Sequence, residues 1–215
     1  MNSARATQKR AFTIIELLMV IGIMALVAGL IVGLAGVSGD SKKIKRTEAE
    51  LANLVLLIEQ YKTKVGVYPP QNPNTNFWHH NTLLYELAGA TNNGAADPLY
   101  STPYGSILAS TLQTSFGVGG IINSHGISGA DPDANRTAPV LKNLKSDQAA
   151  EVVPGTRSLV IPVDDKNGQR PNPWRYRVGN SVDSHNPESF DVWVEIKLGT
   201  TSGVPKTKII GNWKN

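Results

Sequence analysis

The sequence contains no cysteine in 215 residues. This excludes disulfides, thiolate metal centres, dithiol redox motifs and cysteine nucleophiles. A chain of this length can bury enough apolar surface to be stable without covalent cross-links. A hydrophobic core, and not a disulfide framework, is therefore expected to stabilise the fold.

The chain beyond residue 11 also has almost no net charge. The formal charge is +4, and residues 1–11 hold Arg5, Lys9 and Arg10 without any acid. The rest of the chain carries 18 basic and 17 acidic residues. A body so close to neutral lacks the basic surface that binds phosphate backbones, so nucleic acid is not expected as a partner.

Catalytic and metal-binding patterns are sparse. The segment 117–120 (Gly-Val-Gly-Gly) lacks the third glycine of a dinucleotide-binding loop, and no Gly-x-Ser-x-Gly motif occurs. His79 and His80 are adjacent and offer no i, i+4 pair, while His125 and His185 stand apart. The sequence therefore predicts neither an enzyme nor a metal site at these histidines.

One long apolar run is present near the start. Residues 17–37 form 21 consecutive positions without a charged or strongly polar side chain. That length matches the roughly 20 residues of a membrane-spanning helix. We predict a transmembrane helix over 12–37 and a single-pass inner-membrane protein, with a basic cytoplasmic leader at 1–11 and a periplasmic C-terminal domain.

A single carboxylate, Glu16, precedes this run. Ionisable groups in such segments are costly and usually functional, although a carboxylate at the edge can also extend towards the interface without a function. The stretch KRAFTIIELLMVIGIMALVAGL resembles the N-terminus of the type IV pilin and type II secretion pseudopilin superfamily. The resemblance implies cleavage by prepilin peptidase between Ala11 and Phe12, followed by N-methylation of Phe12. It also implies that Glu16 is the assembly residue. Ala11 departs from the glycine that usually precedes the cut.

The resemblance gives Glu16 a physical role. Cleavage would leave a cationic amine on Phe12, and Glu16 of a neighbouring subunit would pair with it. The burial cost of each charge falls when the two charges meet. A simple signal anchor does not account for a carboxylate in this position.

A second helical pattern follows a predicted break at 36–41. Apolar residues recur at spacings of three, four and seven across 38–66, which predicts an amphipathic helix. Gly66 and the pair at 69–70 (Pro-Pro) are expected to end it. The stripe consists of Ile44, Leu51, Leu54, Val55, Ile58, Tyr61 and Val65.

The middle of the chain, 67–157, is predicted to be a variable, loop-rich region rich in Gly, Asn, Ser, Thr and Pro. One short helix is expected from Thr82 or Leu83 to Ala88, with Thr82 as its cap and Gly89 as its stop.

From 158 to 215 the period changes to two, which predicts antiparallel strands with one apolar face. The segments NPWRYRV, FDVWVEI and IIGNW resemble the C-terminal sheet of the major pseudopilin of type II secretion. We therefore predict an α+β, pilin-like fold: a long N-terminal helix, half transmembrane and half amphipathic, packed on a small C-terminal antiparallel sheet.

The major pseudopilins carry a calcium site in the loop before the final Asn-Trp. The corresponding stretch, Leu198 to Lys208, contains no acid, whereas calcium requires several anionic oxygen ligands. We expect no family-type calcium site and no cofactor. Residues 164–168 (Asp-Asp-Lys-Asn-Gly) are interpreted as an Asx-type turn between strands.

These observations predict a structural subunit of a type II secretion pseudopilus. Its expected partners are further copies of the chain, prepilin peptidase, the inner-membrane assembly platform, minor pseudopilins and membrane lipid. The alternatives are a type IV pilin that forms a surface fibre, or a signal-anchored periplasmic binding module or enzyme.

Overall fold

The computed structural model describes residues 14–126, 139–179, 183–201 and 203–213, and of residues 30–38 and 201 it describes only the backbone. The chain divides into two compact units between Lys42 and Lys43. Each unit is described by itself.

The described residues form three helices and ten strands. The helices are α1 (Ile14–Val65), α2 (Leu83–Ala88) and α3 (Ala109–Phe116). The strands are β1 (Ala90–Asn92), β2 (Leu99–Thr102), β3 (Gly105–Leu108), β4 (Ser124–Gly126), β5 (Ala149–Glu151), β6 (Arg157–Ile161), β7 (Asn172–Pro173), β8 (Arg175–Val178), β9 (Phe190–Thr201) and β10 (Val204–Gly211).

Helix α1 is continuous where the sequence predicted a break. The assignment runs through 36–41, although this stretch holds Gly36 and Gly39. A glycine costs about 1 kcal/mol in a helix but removes no hydrogen bond. No proline interrupts α1, and proline is the residue that would remove one.

The predicted transmembrane helix is wrong. Across the described residues, no helix is long and apolar enough to cross a membrane. The first turn of α1 also carries the charged residue Glu16. This finding contradicts the membrane half of the predicted fold and the single-pass inner-membrane location.

The second unit begins within α1 and confirms the predicted amphipathic stripe. Leu51, Leu54, Ile58 and Tyr61 are buried in one core cluster, while the other members of the stripe pack against it from partly buried positions. The helix ends as predicted: the Gly66 N–H donates to the Lys62 carbonyl at 2.8 Å, with Gly66 at φ 89°.

Helix α2 occupies the predicted residues with a different N-terminal contact. The Thr82 hydroxyl makes no capping hydrogen bond and donates instead to the Pro70 carbonyl at 3.3 Å. Gly89 ends the helix at φ 68°, a conformation that favours glycine. Every residue of α2 is buried, including Glu86.

The predicted single C-terminal sheet is also wrong, because the described strands form three small sheets. Their orders are β3-β2-β1-β4, β10-β9-β8 and β5-β6-β7. The first lies within the region predicted to be loop-rich, and its β1 and β4 pair in parallel. These strands have three or four residues and carry polar side chains, so they show no alternation of apolar and polar positions.

The predicted alternation holds in β8 and β9. Tyr176 pairs with Val192 and Val178 with Phe190, and Tyr176, Val192, Val194 and Ile196 are fully buried. The class of the second unit is therefore α+β, with α1 residues 51–61, α2 and this sheet contributing to one core.

Candidate functional site

The predicted processing residues, Ala11 and Phe12, lie outside the described residues. Glu16 lies in the first turn of α1 and is exposed. A carboxylate in this turn interacts favourably with the partial positive charge at the helix N-terminus.

Glu16 is surrounded by apolar side chains that project from all sides of the helix. Eleven large apolar residues between 14 and 27 are 45–80% exposed. We call this set the apolar helix surface; it comprises Ile14, Ile15, Leu17, Leu18, Met19, Val20, Ile21, Ile23, Met24, Leu26 and Val27. A contiguous apolar surface of this kind marks an interaction site, because single exposed apolar residues are ordinary but an entire exposed helix segment is not.

The histidines do not assemble a metal centre. No group of three or more potential ligands occurs in the part of the chain that the structure describes. His80 stacks on Phe77 with centroids 5.1 Å apart, and His79 meets His80 edge-on at 4.2 Å. Burial, with smaller effects from His80 and Arg175, lowers the pKa of His79 to about 4, so its ring is neutral near pH 7.

The stretch predicted to lack a calcium site forms most of a β-hairpin. Residues 198–208 span the end of β9, Gly203 at φ 80° and the start of β10. Lys208 Nζ lies 3.6 Å from Glu48 Oε1 on α1. The nearby Asx-type turn is present, because Asp165 Oδ1 accepts from the main-chain N–H groups of Asn167 at 2.9 Å and Gln169 at 2.7 Å.

A buried ion pair was not predicted. Asp191 is fully buried and accepts from Arg177 Nε at 2.8 Å, from the main-chain N–H groups of His185 at 2.9 Å and Asn186 at 3.0 Å, and from Asn186 Nδ2 at 2.8 Å. Burial acts to raise the pKa of Asp191, but the His185 N–H and the Arg177 guanidinium outweigh it and hold the pKa below its usual value. The Arg177 guanidinium lies 5.2 Å from the Trp193 ring.

Glu86 is a second buried carboxylate that the sequence did not reveal. It accepts from the Tyr61 hydroxyl at 2.7 Å and from the main-chain N–H groups of Ile122 and Asn123, each at 2.9 Å. Burial raises the pKa of Glu86, opposed by the Asn123 N–H and the Tyr61 hydroxyl. These contacts join α1, α2 and the segment before β4, so we assign Glu86 a structural role.

The alternating sequence pattern predicts part of the geometry of the Arg177–Asp191 pair. Arg177 and Asp191 pair directly across β8 and β9, so both lie on the face predicted to be polar. The pattern does not show that residues 183–189 fold over that face and bury the pair. Glu86 had no such signal, since it is the lone acid of a six-residue helix.

No family model, curated protein or solved structure matches the chain.

Proposed function

We propose that the chain is a pilin-like structural subunit of a type II secretion pseudopilus, and that it assembles with further copies of itself through the apolar helix surface. The supporting observation is the exposure of all eleven large apolar side chains between Ile14 and Val27.

The free energy gained by burying these side chains favours association of the segment with a partner. Covering a large apolar side chain stabilises by about 1.5–3 kcal/mol relative to leaving it in water. Eleven such side chains on one helix amount to a large driving force for association, even after the entropic cost of binding is subtracted.

Another copy of the same helix suits this surface well. Apart from Glu16 the surface is apolar on all sides, so a second apolar helix complements it. Helices that are apolar all round are stable when they pack in the centre of a larger assembly. A bundle of identical helices provides that environment at every position.

The resemblance supplies the processing steps. Prepilin peptidase would cut between Ala11 and Phe12, the Phe12 amine would be methylated, and Glu16 of an adjacent subunit would pair with that amine. The assembly platform and the minor pseudopilins would be the other partners. The charged pair would fix the axial register of neighbouring helices, because an unpaired buried charge is costly.

The intact mass of the chain, produced together with a prepilin peptidase, tests this proposal. We expect a mature protein that begins at Phe12 and carries one added methyl group, and we expect the Ala11→Gly variant to be cut at least as fast. A chain that retains residues 1–11, or begins beyond Gly36, would contradict the proposal.

A second arm tests the assembly residue. Glu16→Ala is expected to be processed yet to assemble poorly, whereas the matched variant Glu48→Ala, on the same helix, assembles normally. Loss of exoprotein secretion on deletion of the gene, without loss of surface fibres, would distinguish a pseudopilus from a surface pilus.

A further inference from the structure

All the sulfur atoms of the processed chain lie on the apolar helix surface. The sequence holds three methionines and no cysteine. Cleavage between Ala11 and Phe12, as proposed, removes Met1 and leaves Met19 and Met24. Both belong to the apolar helix surface, where they are 69% and 65% exposed. Thioethers are readily oxidised by peroxides, so the segment proposed to join the copies is also the segment most open to oxidation.

The two methionines flank the side of the helix that carries Glu16. At about 100° of rotation per residue, Met19 lies about 60° to one side of Glu16 and Met24 about 80° to the other. Met19 is also the i+3 neighbour of Glu16, a spacing at which helical side chains are adjacent. Both sulfurs therefore lie within the half of the helix surface that is centred on the proposed assembly residue.

Oxidation by a peroxide changes the polarity of these side chains. One peroxide oxygen is transferred to the thioether sulfur, so that an S–O bond forms and the O–O bond breaks. The sulfur loses two electrons and becomes a sulfoxide, while the peroxide is reduced to water. A flexible apolar side chain is thereby converted into a polar one that carries a hydrogen-bond acceptor.

The matching segment of a neighbouring copy offers no side-chain donor to a sulfoxide oxygen. Between Ile14 and Val27 the only polar side chain is Glu16, and an ionised carboxylate accepts hydrogen bonds but donates none. The whole segment is helical, and beyond the first turn the main-chain N–H groups of a helix bond to its own carbonyls. A sulfoxide enclosed by such helices would be a buried acceptor without a donor, which is unfavourable.

We propose that Met19 and Met24 are oxidised by peroxide in the unassembled chain, and that their sulfoxides block assembly with further copies. The inference rests on the proposed self-assembly, because a sulfoxide matters only if the apolar helix surface is the interface. Methionine sulfoxide reductases return the sulfoxide to the thioether, so the modification is reversible. The apolar helix surface thus makes assembly sensitive to oxidants.

Treatment of the processed full chain with hydrogen peroxide tests the proposal. Intact mass counts the added oxygen atoms, and sedimentation gives the protein concentration at which assembly begins. We expect one added oxygen for each of the two methionines. The oxidised chain should begin to assemble only at a concentration roughly tenfold or more higher, because its interface would bury unsatisfied acceptors. Subsequent treatment with the two epimer-specific methionine sulfoxide reductases should restore the untreated value.

The matched control is the double variant Met19→Leu/Met24→Leu, in which apolar side chains of similar volume cannot form a sulfoxide. Each protein is compared with its own untreated sample, so that any effect of the substitutions on untreated assembly cancels. Peroxide should leave the double variant's assembly concentration unchanged. Thermal unfolding of the wild type should be the same before and after oxidation, since neither methionine belongs to the buried core.

The possible outcomes separate this inference from the proposed function. Failure of the untreated, processed chain to assemble would overturn both. Normal assembly of a chain that carries both sulfoxides would overturn this inference alone. The same holds for an unmodified mass after peroxide treatment, for an equal loss of assembly in Met19→Leu/Met24→Leu, and for a loss that the reductases do not reverse.

Discussion

The two regions of the molecule differ in what they expose and what they bury. Residues 14–27 leave large apolar side chains exposed, whereas the unit beyond Lys42 buries not only its apolar residues but also the carboxylates of Glu86 and Asp191. A buried carboxylate survives only where donors surround it, and both of these are surrounded. The second region therefore surrounds its two buried carboxylates with its own donors, while the first exposes apolar side chains that its own helix cannot cover.

This contrast assigns stability and assembly to different residues. Substitutions in the buried core should change the free energy of unfolding, and substitutions on the apolar helix surface should change association between chains. Variants in the two regions should therefore separate the two effects.

The largest stability effect is expected from Asp191→Asn. The substitution leaves the Arg177 guanidinium, 7% exposed, without its countercharge. Removing one partner of a buried ion pair typically costs about 3–5 kcal/mol. The matched control is Asp147→Asn, whose pair with Arg46 is about half exposed and should cost no more than about 1 kcal/mol. Denaturant unfolding at pH 7 measures both, and equal losses would contradict a special role for the buried pair.

The same residue predicts a pH dependence. Because the pKa of Asp191 is lower in the folded state than in the unfolded state, the ionised carboxylate stabilises the fold above the unfolded value of about 3.9. That contribution is lost as the pH falls below this value and through the folded pKa. The free energy of unfolding of the wild type should therefore fall more than that of Asp191→Asn on acidification below about pH 4. If the two free energies fell in parallel, Asp191 would not be the cause of the acid sensitivity.

A somewhat smaller effect is expected at Ile58, which is fully buried on α1. Ile58→Ala should lower the free energy of unfolding by about 2–5 kcal/mol, through lost burial and the cavity that remains. Leu56 lies two residues away and is 54% exposed, so Leu56→Ala should change stability by no more than about 0.5 kcal/mol. If both variants lost a similar free energy of unfolding, the exposed fraction of a side chain in this helix would not indicate how tightly it is packed.

The sequence predicts those parts of the fold in which a period is sustained. The stripe from Ile44 to Val65 and the alternation in β8 and β9 each repeat several times, so the buried faces of α1 and of this sheet follow from the residues alone. Short elements with no repeat, such as β1 and β4, depend on pairing between distant segments and were missed.

The transmembrane prediction failed for a different reason. That prediction rested on a count of apolar residues over 17–37, whereas no helix among the described residues is long and apolar enough to cross a membrane. The candidate sites show the same limit. Glu86 and Asp191 are buried by segments from elsewhere in the chain, which no local sequence pattern reveals.

Sedimentation of two charge-insertion variants tests the central claim most directly. Leu18 and Leu56 lie on the same helix and are exposed to similar extents, 60% and 54%. We predict that Leu18→Lys, on the apolar helix surface, abolishes the assembly of the processed chain, because each subunit would bury an unpaired ammonium group. Leu56→Lys should assemble like the wild type. Normal assembly of Leu18→Lys, or equal loss in both variants, would contradict the claim that residues 14–27 form the interface between copies.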